Sequence, residues 1–239
     1  MPGEFSEKVV LIAGGTGALG RAVTLAFLNH GANSIVTYRA NEEFIELQAE
    51  AGSQSSFLEG FATDVVNENR VRELMGQIMA KHKRIDVLVN AVGAFAGGTS
   101  LWETDSQVLD QMLALNLRSG FVLCRAAVPL MLKQNRGAIV NVASRAAVDH
   151  AAGAAAYVAS KAAAVAMINS LAADLKGTGV RANSVLPSII DTEANRKAMP
   201  NSDFSKWPKP REIANVILYL SSDQSKLIHG AAVPVYGNS

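Results

Sequence analysis

Cysteine occurs once in the 239 residues, at Cys124. A lone thiol excludes a disulfide framework and a multi-thiolate metal site, and it suits a reducing compartment, so a cytoplasmic protein is expected. An excess of one charge is also missing. Lys and Arg number 22 against 21 Asp and Glu, a net charge of +1. The chain as a whole has no pull on a polyanion, and neither nucleic acid nor a membrane is expected as a partner. His30, His82, His150 and His229 are too dispersed for metal-ligand spacing, and no metal site is expected. Residues 1–8 lack an apolar run and carry Glu4 and Glu7, so they are not expected to act as a secretory signal. The most apolar stretch, 151–175, is interrupted by Ser160, Lys161, Asn169 and Asp174 and reads as a buried helix rather than a membrane span.

Hydrophobic residues reach 49% and charged residues only 18%, a composition that supports a large core and excludes a disordered chain. Short apolar runs alternate with helical patterns. Strands are expected over 8–13 (KVVLIA), 34–38, 56–61, 85–90, 138–142, 180–186 and 232–236. Between them lie helical patterns over 18–30, 42–51, 68–82, 105–134, 152–176 and 211–221, with Asn67 placed to cap the third and Gly31, Gly52 and Gly177 placed as stops. Strands that are apolar throughout, alternating with helices, predict a doubly wound parallel sheet of about seven strands with helices on both faces. No composition shift marks a linker, so residues 1–239 read as a single Rossmann-type α/β domain. Residues 188–210 carry Pro200, Pro208 and Pro210 and no strong element, and a loop of that length reads as a substrate lid.

After the first strand comes Gly14-Gly15-Thr16-Gly17-Ala18-Leu19-Gly20. Gly15, Gly17 and Gly20 meet the spacing G-x-G-x-x-G. In a strand–turn–helix context this brings backbone N–H groups and a helix N-terminus against a pyrophosphate. The second strand ends Thr37-Tyr38-Arg39, with no acid before Glu42. An acid there would bond a ribose 2′-hydroxyl, whereas an Arg accommodates a 2′-phosphate. The sequence therefore favours NADP(H) over NAD(H), with Arg39 on the phosphate and Tyr38 or Arg39 flanking the adenine.

Tyr157 and Lys161 are four residues apart on an apolar helix and so share a face. A phenol titrates near 10, too high for easy proton exchange at neutral pH. A neighbouring ammonium is expected to lower that value and make Tyr157 a general acid. Ser144 closes the fifth strand, and Asn116 lies in the preceding helical stretch.

This ordering, with the glycine turn, resembles the short-chain dehydrogenase/reductase family over essentially the whole chain. The resemblance implies a tetrad of Asn116, Ser144, Tyr157 and Lys161. Tyr157 would donate a proton to a substrate carbonyl, and Ser144 would bond the same oxygen. Lys161 would lower the Tyr157 pKa and hold the nicotinamide ribose, and Asn116 would order a water. Similar motifs imply further cofactor residues: Asp64 and Val65 beside the adenine, and Asn90-Ala91-Val92-Gly93 after the fourth strand. Pro187 and Ser188 follow the sixth, with Ile190 and Thr192 at the carboxamide. Ala18, Ala91, Val92 and Ser188 depart from the family pattern. The implied activity is NADP-dependent reduction of a small-molecule carbonyl of the 3-oxoacyl or small-ketone class. The glycine turn and residues 191–207 also resemble quinonoid dihydropteridine reductase, which makes pterin reduction an alternative. A non-catalytic NADP-sensing protein is a second alternative. Long apolar helices, read with the family, imply a homodimer or homotetramer. Met199, Phe204 and Trp207 either cover a substrate or pin the lid to the core. Arg145 and Asp149 read as solvated, and His150 as a residue near the substrate.

Overall fold

The computed structural model describes residues 3–238. Seven strands form one parallel sheet: β1 Val9–Ala13, β2 Asn33–Tyr38, β3 Leu58–Ala62, β4 Val87–Asn90, β5 Gly137–Val142, β6 Val180–Pro187 and β7 Ala232–Val235. Their order is β3-β2-β1-β4-β5-β6-β7. Eight α-helices accompany them among the described residues: α1 Ala18–Asn29, α2 Asn41–Ala51, α3 Glu68–His82, α4 Ser106–Leu113, α5 Ser119–Lys133, α6 Ala155–Asp174, α7 Glu193–Ala198 and α8 Pro210–Ser221. A parallel sheet needs crossovers, and helices supply them.

Successive side chains of a strand leave on opposite faces. From β1, Val10 and Ile12 join Val23 and Phe27 of α1 and Ile213 and Ile217 of α8 in one core layer. Val9, Leu11 and Ala13 join Leu74 of α3, Leu123 of α5 and Ile168 of α6 in the other. The strand is therefore buried along its whole length, which is why its sequence is a run rather than an alternation. Phe27 is fully buried with Phe5 edge-on at 4.9 Å. Truncating it to Ala would cost about 3–5 kcal/mol.

Most expected elements form where their signals lie. Asn67 caps α3 through Oδ1, which accepts from the N–H groups of Asn69 and Arg70 at 3.0 and 3.2 Å. Gly31 ends the turn after α1 at φ +86°, a conformation that favours glycine. The expected helix over 105–134 is three pieces instead. A π-helical turn over Ala114–Arg118 separates α4 from α5, and Pro129 lies inside α5. The expected irregular segment 188–210 contains α7, because the Thr192 hydroxyl accepts from the Asn195 N–H at 3.2 Å and caps it. Pro210 does not break a helix but opens α8 at its first turn, where a missing N–H costs nothing.

From β1 the chain builds outward to β2 and β3, then returns to place β4 on the other side of β1. The loops leaving the carboxyl ends of β1 and β4 diverge at this switch point, and open α/β sheets bind ligands there.

Candidate active site

The glycine turn follows β1 directly. Gly14 donates its N–H to Thr37 Oγ1 at 3.0 Å, and Gly15 donates to the Thr37 carbonyl at 3.2 Å. A Cβ on Gly20 would lie 1.9 Å from the Gly14 carbonyl oxygen, and one on Gly15 would lie 2.4 Å from Val36 Cγ1. Neither position has room for a side chain. Gly17 caps α1 with no side-chain hydrogen bond, so the first N–H groups of α1 stay open on the outer side. A turn packed this closely against its own strand, with donors facing outward, fits a pyrophosphate. Ala18 is exposed, and its methyl does not crowd the turn.

A crevice of about 220 Å³ runs from this turn along the strand ends. Gly14, Thr16, Gly17, Tyr38, Arg39, Asp64, Val65, Ala91, Val92 and Gly93, all named from the sequence as candidate cofactor residues, line it. Gly15, Leu19 and Gly20 are buried behind the turn. Asn90 braces the wall from within, its Nδ2 donating to Asn141 Oδ1 at 3.0 Å and its Oδ1 accepting from the Val92 N–H at 3.2 Å. Arg39 is exposed and makes no hydrogen bond or ion pair among the described residues. Tyr38 stacks flat on Phe44, centroids 4.9 Å apart. Glu43 also lines the crevice and accepts from Thr16 Oγ1 at 2.7 Å. Sequence reading missed it, because the search for an acid stopped at the end of β2 and the first turn of α2 folds back onto the crevice.

Pro187, Ser188, Ile190 and Thr192 leave the end of β6 and do not line this crevice. Ser188 Oγ donates to the Tyr236 carbonyl at 2.8 Å, and the Ile190 carbonyl accepts from Asn195 Nδ2 at 2.8 Å. The side chain of Thr192 is engaged in capping α7.

Ser144 follows β5, Tyr157 sits on the first turn of α6, and Asn116 lies in the π-helical turn. The four tetrad side chains converge on one end of the sheet. Asn116 Nδ2 donates to the Ala94 carbonyl and to Ser160 Oγ, both at 3.0 Å, while its Oδ1 accepts from the Ala94 N–H at 2.9 Å. Ser160 in turn donates to the Tyr157 carbonyl at 2.7 Å. Gly93 closes the space between them. A Cβ there would be 2.8 Å from Asn116 Oδ1 and 3.0 Å from Lys161 Nζ. Phe95, held beside Ala94, stands edge-on to the Tyr157 ring at 5.0 Å.

The electrostatics differ from the expectation. Burial pushes the Tyr157 phenol above its usual value, and a hydrogen bond with Ser144 only partly opposes this. Burial brings Lys161 down to about 8. The Lys161 ammonium is turned toward β5 and donates to the Val142 carbonyl at 3.1 Å. Spacing of i and i+4 makes two side chains neighbours but does not aim them at each other. Burial and the bond with Ser144 are what act on the phenol.

The rim is better bonded than its sequence suggested. Arg145 pairs with Asp149 at 2.9 Å and lies 5.1 Å over the Tyr236 ring, and both side chains stay exposed. His150 is exposed. Arg196 of α7 donates to Asp191 at 2.8 Å and lies 4.8 Å over Phe204, whose ring is 5.0 Å from buried Trp207. Phe204 and Trp207 thus pack on each other within the segment. Cys124 is buried, and desolvation pushes its thiol up to about 12.

Residues 8–203 match the family model described as short chain dehydrogenase. The chain is 32% identical over 238 residues to the 3-oxoacyl-acyl-carrier-protein reductase FabG of Thermotoga maritima, covering 96% of each. It is 35% identical over 240 residues to the D-threitol dehydrogenase of Mycolicibacterium smegmatis, covering 96% of this chain and 92% of that one. The solved structure titled ElxO with NADP bound aligns with a TM-score of 0.91 at 26% identity, covering 96% of this chain and 97% of that one.

Proposed function

The chain belongs to the short-chain dehydrogenase family, and we propose that it reduces a small-molecule carbonyl of the 3-oxoacyl or small-ketone class with NADPH. The observation that carries this reading is Tyr157, bonded with Ser144 and raised by burial, on the helix whose Lys161 reaches Gly93 of the crevice that also carries the unpaired Arg39. Nicotinamide, when bound, supplies the hydride. Gly14, Thr16, Gly17 and the open N–H groups of α1 would take its pyrophosphate, and Arg39 its 2′-phosphate. Asp64 and Val65 would face the adenine. Pro187, Ser188, Ile190 and Thr192 would border the carboxamide.

A raised phenol is protonated at neutral pH, which is the form needed to give a proton to a substrate oxygen. Ser144 would bond that oxygen as charge gathers on it. Asn116 holds the Ala94 peptide and so places Phe95 beside Tyr157. Lys161, near 8, can exchange a proton close to neutrality and would reprotonate the site through a water near Asn116. A serine in this place favours a carbonyl over a quinonoid pterin, whose imine gains less from it. Residues 188–210 would border the substrate as a lid. The exposed apolar side chains Leu109, Phe121 and Leu132 on the α4–α5 stretch would be covered by a second copy in a homo-oligomer, in the cytoplasm.

The test is an NADPH-consumption screen over 3-oxoacyl esters, small diketones and quinonoid dihydropterin, run on the parent protein and on Tyr157→Phe. Turnover of a ketone or 3-oxoacyl ester, lost in the variant by roughly 10²–10⁴-fold with NADPH affinity unchanged, is expected. Turnover of the pterin alone would replace the substrate class. Tight NADPH binding with no turnover across the panel would make the protein a sensor.

A further inference from the structure

The acidic edge of α2 reaches the crevice at one point. Glu43, Glu46 and Glu50 lie on one side of the helix, spaced by three and four residues. Arg21 of α1 pairs with Glu46 at 3.0 Å and Glu50 at 3.4 Å. Glu43 lies one turn nearer the glycine loop and pairs with no cation among the described residues. Its carboxylate accepts from the Thr16 hydroxyl at 2.7 Å. Arg39 lines the same crevice, and no ion pair joins the two. One wall thus presents an uncompensated cation and an uncompensated anion, both exposed, within five residues of chain.

These charges act oppositely on the two nicotinamide dinucleotides. A 2′-phosphate is attracted by Arg39 and repelled by Glu43. A 2′-hydroxyl is neutral and can donate to a carboxylate. We propose that Glu43 is a specificity-determining residue that holds down the preference for NADPH created by Arg39, so that the protein accepts both nucleotides. The inference rests on the reading that this crevice takes a nicotinamide dinucleotide. It does not depend on which carbonyl is reduced. Specificity is a difference of affinities, and here a repulsive group is built into the same wall as the attractive one.

The experiment is fluorescence titration of NADPH and NADH against the parent protein, Glu43→Gln and Arg39→Ala, at low and at high salt, with a thermal melt of each. Glu43→Gln is expected to tighten NADPH by about tenfold and to leave NADH within about twofold or slightly weaker. The gain should shrink at high salt, because exposed charges are screened. Arg39→Ala should weaken NADPH alone. Equal changes for both nucleotides in Glu43→Gln, or none, or a gain insensitive to salt, would overturn the role of Glu43 while leaving the cofactor reading standing. Failure of the parent protein to bind either nucleotide would remove both.

Discussion

The β5–α6 end of the site and the β2–α2 end differ in how they hold their polar groups. At the first, Asn116, Ser160 and Lys161 are 2%, 0% and 5% exposed, and each is hydrogen-bonded to backbone or to a neighbour. At the second, Arg39 and Glu43 are exposed, and a single hydrogen bond, from Thr16, ties Glu43 to the protein. Buried polar groups are costly to leave unpaired, so the first end has one geometry and tolerates little change. Exposed charges are screened and individually weak. Charges at the second end can therefore be changed without touching the fold. The groups proposed to react lie where rearrangement is expensive, and the charges proposed to discriminate lie where it is not.

The contrast can be broken most directly at its buried end. Asn116→Leu strands the Ala94 N–H and carbonyl and removes the bond that Ser160 Oγ accepts. Denaturant unfolding should show a loss of about 2–4 kcal/mol, along with lost turnover. A loss under 1 kcal/mol would mean that this end is no more rigid than the other. Lys161→Met should act in the opposite sense. The lysine falls from 10.5 to about 8 on folding, so the folded state binds fewer protons between those values. Its charge destabilises the fold in full below pH 8, and that cost fades as pH rises toward 10.5. The variant should unfold about 2 kcal/mol later at pH 7, discounted for the orphaned Val142 carbonyl, with the advantage gone near pH 10.5. It should also lose activity. An advantage that does not vary with pH would sink the assignment.

A subtler check is the pH profile of reduction by the parent protein. The rate should be level below about 8 and fall above it, as Lys161 loses its proton and can no longer resupply Tyr157. A profile still level above pH 9 would remove the lysine from proton supply. The smallest effect is expected at the lid. Arg196→Gln loses an exposed ion pair and a ring contact, and steady-state kinetics should show KM raised about two- to fivefold with kcat kept. An equal fall in kcat would place α7 closer to the reacting groups.

Much of this was legible because the strongest signals are periodic. Val9 to Ala13 is buried on both sides and reads as an apolar run; Asn67 precedes a helical pattern and caps it. Asn116, Ser144, Tyr157 and Lys161 are singled out through the family resemblance, and Tyr157 and Lys161 share one helix as their spacing requires. What escaped was direction and distance. Nothing in the spacing of Tyr157 and Lys161 says that the lysine turns to Val142, so the sign of the shift at the phenol was not readable. Glu43 escaped because only the fold brings the first turn of α2 over the glycine loop. A π-helical turn takes up one additional residue, about 100° of helical phase, and 105–134 reads as a single helical pattern, so the turn at Ala114–Arg118 goes unseen.

That turn has its own consequence. Five-residue hydrogen-bonded loops are less comfortable than the ordinary helical repeat, and they persist where a side chain must be aimed. Deleting a single amino acid between Leu113 and Ser119 would let one uninterrupted rod form from Ser106 to Lys133, swinging the amide of Asn116 away from the peptide it grips. Such a shortened molecule should be the sturdier of the two along that rod and the poorer catalyst.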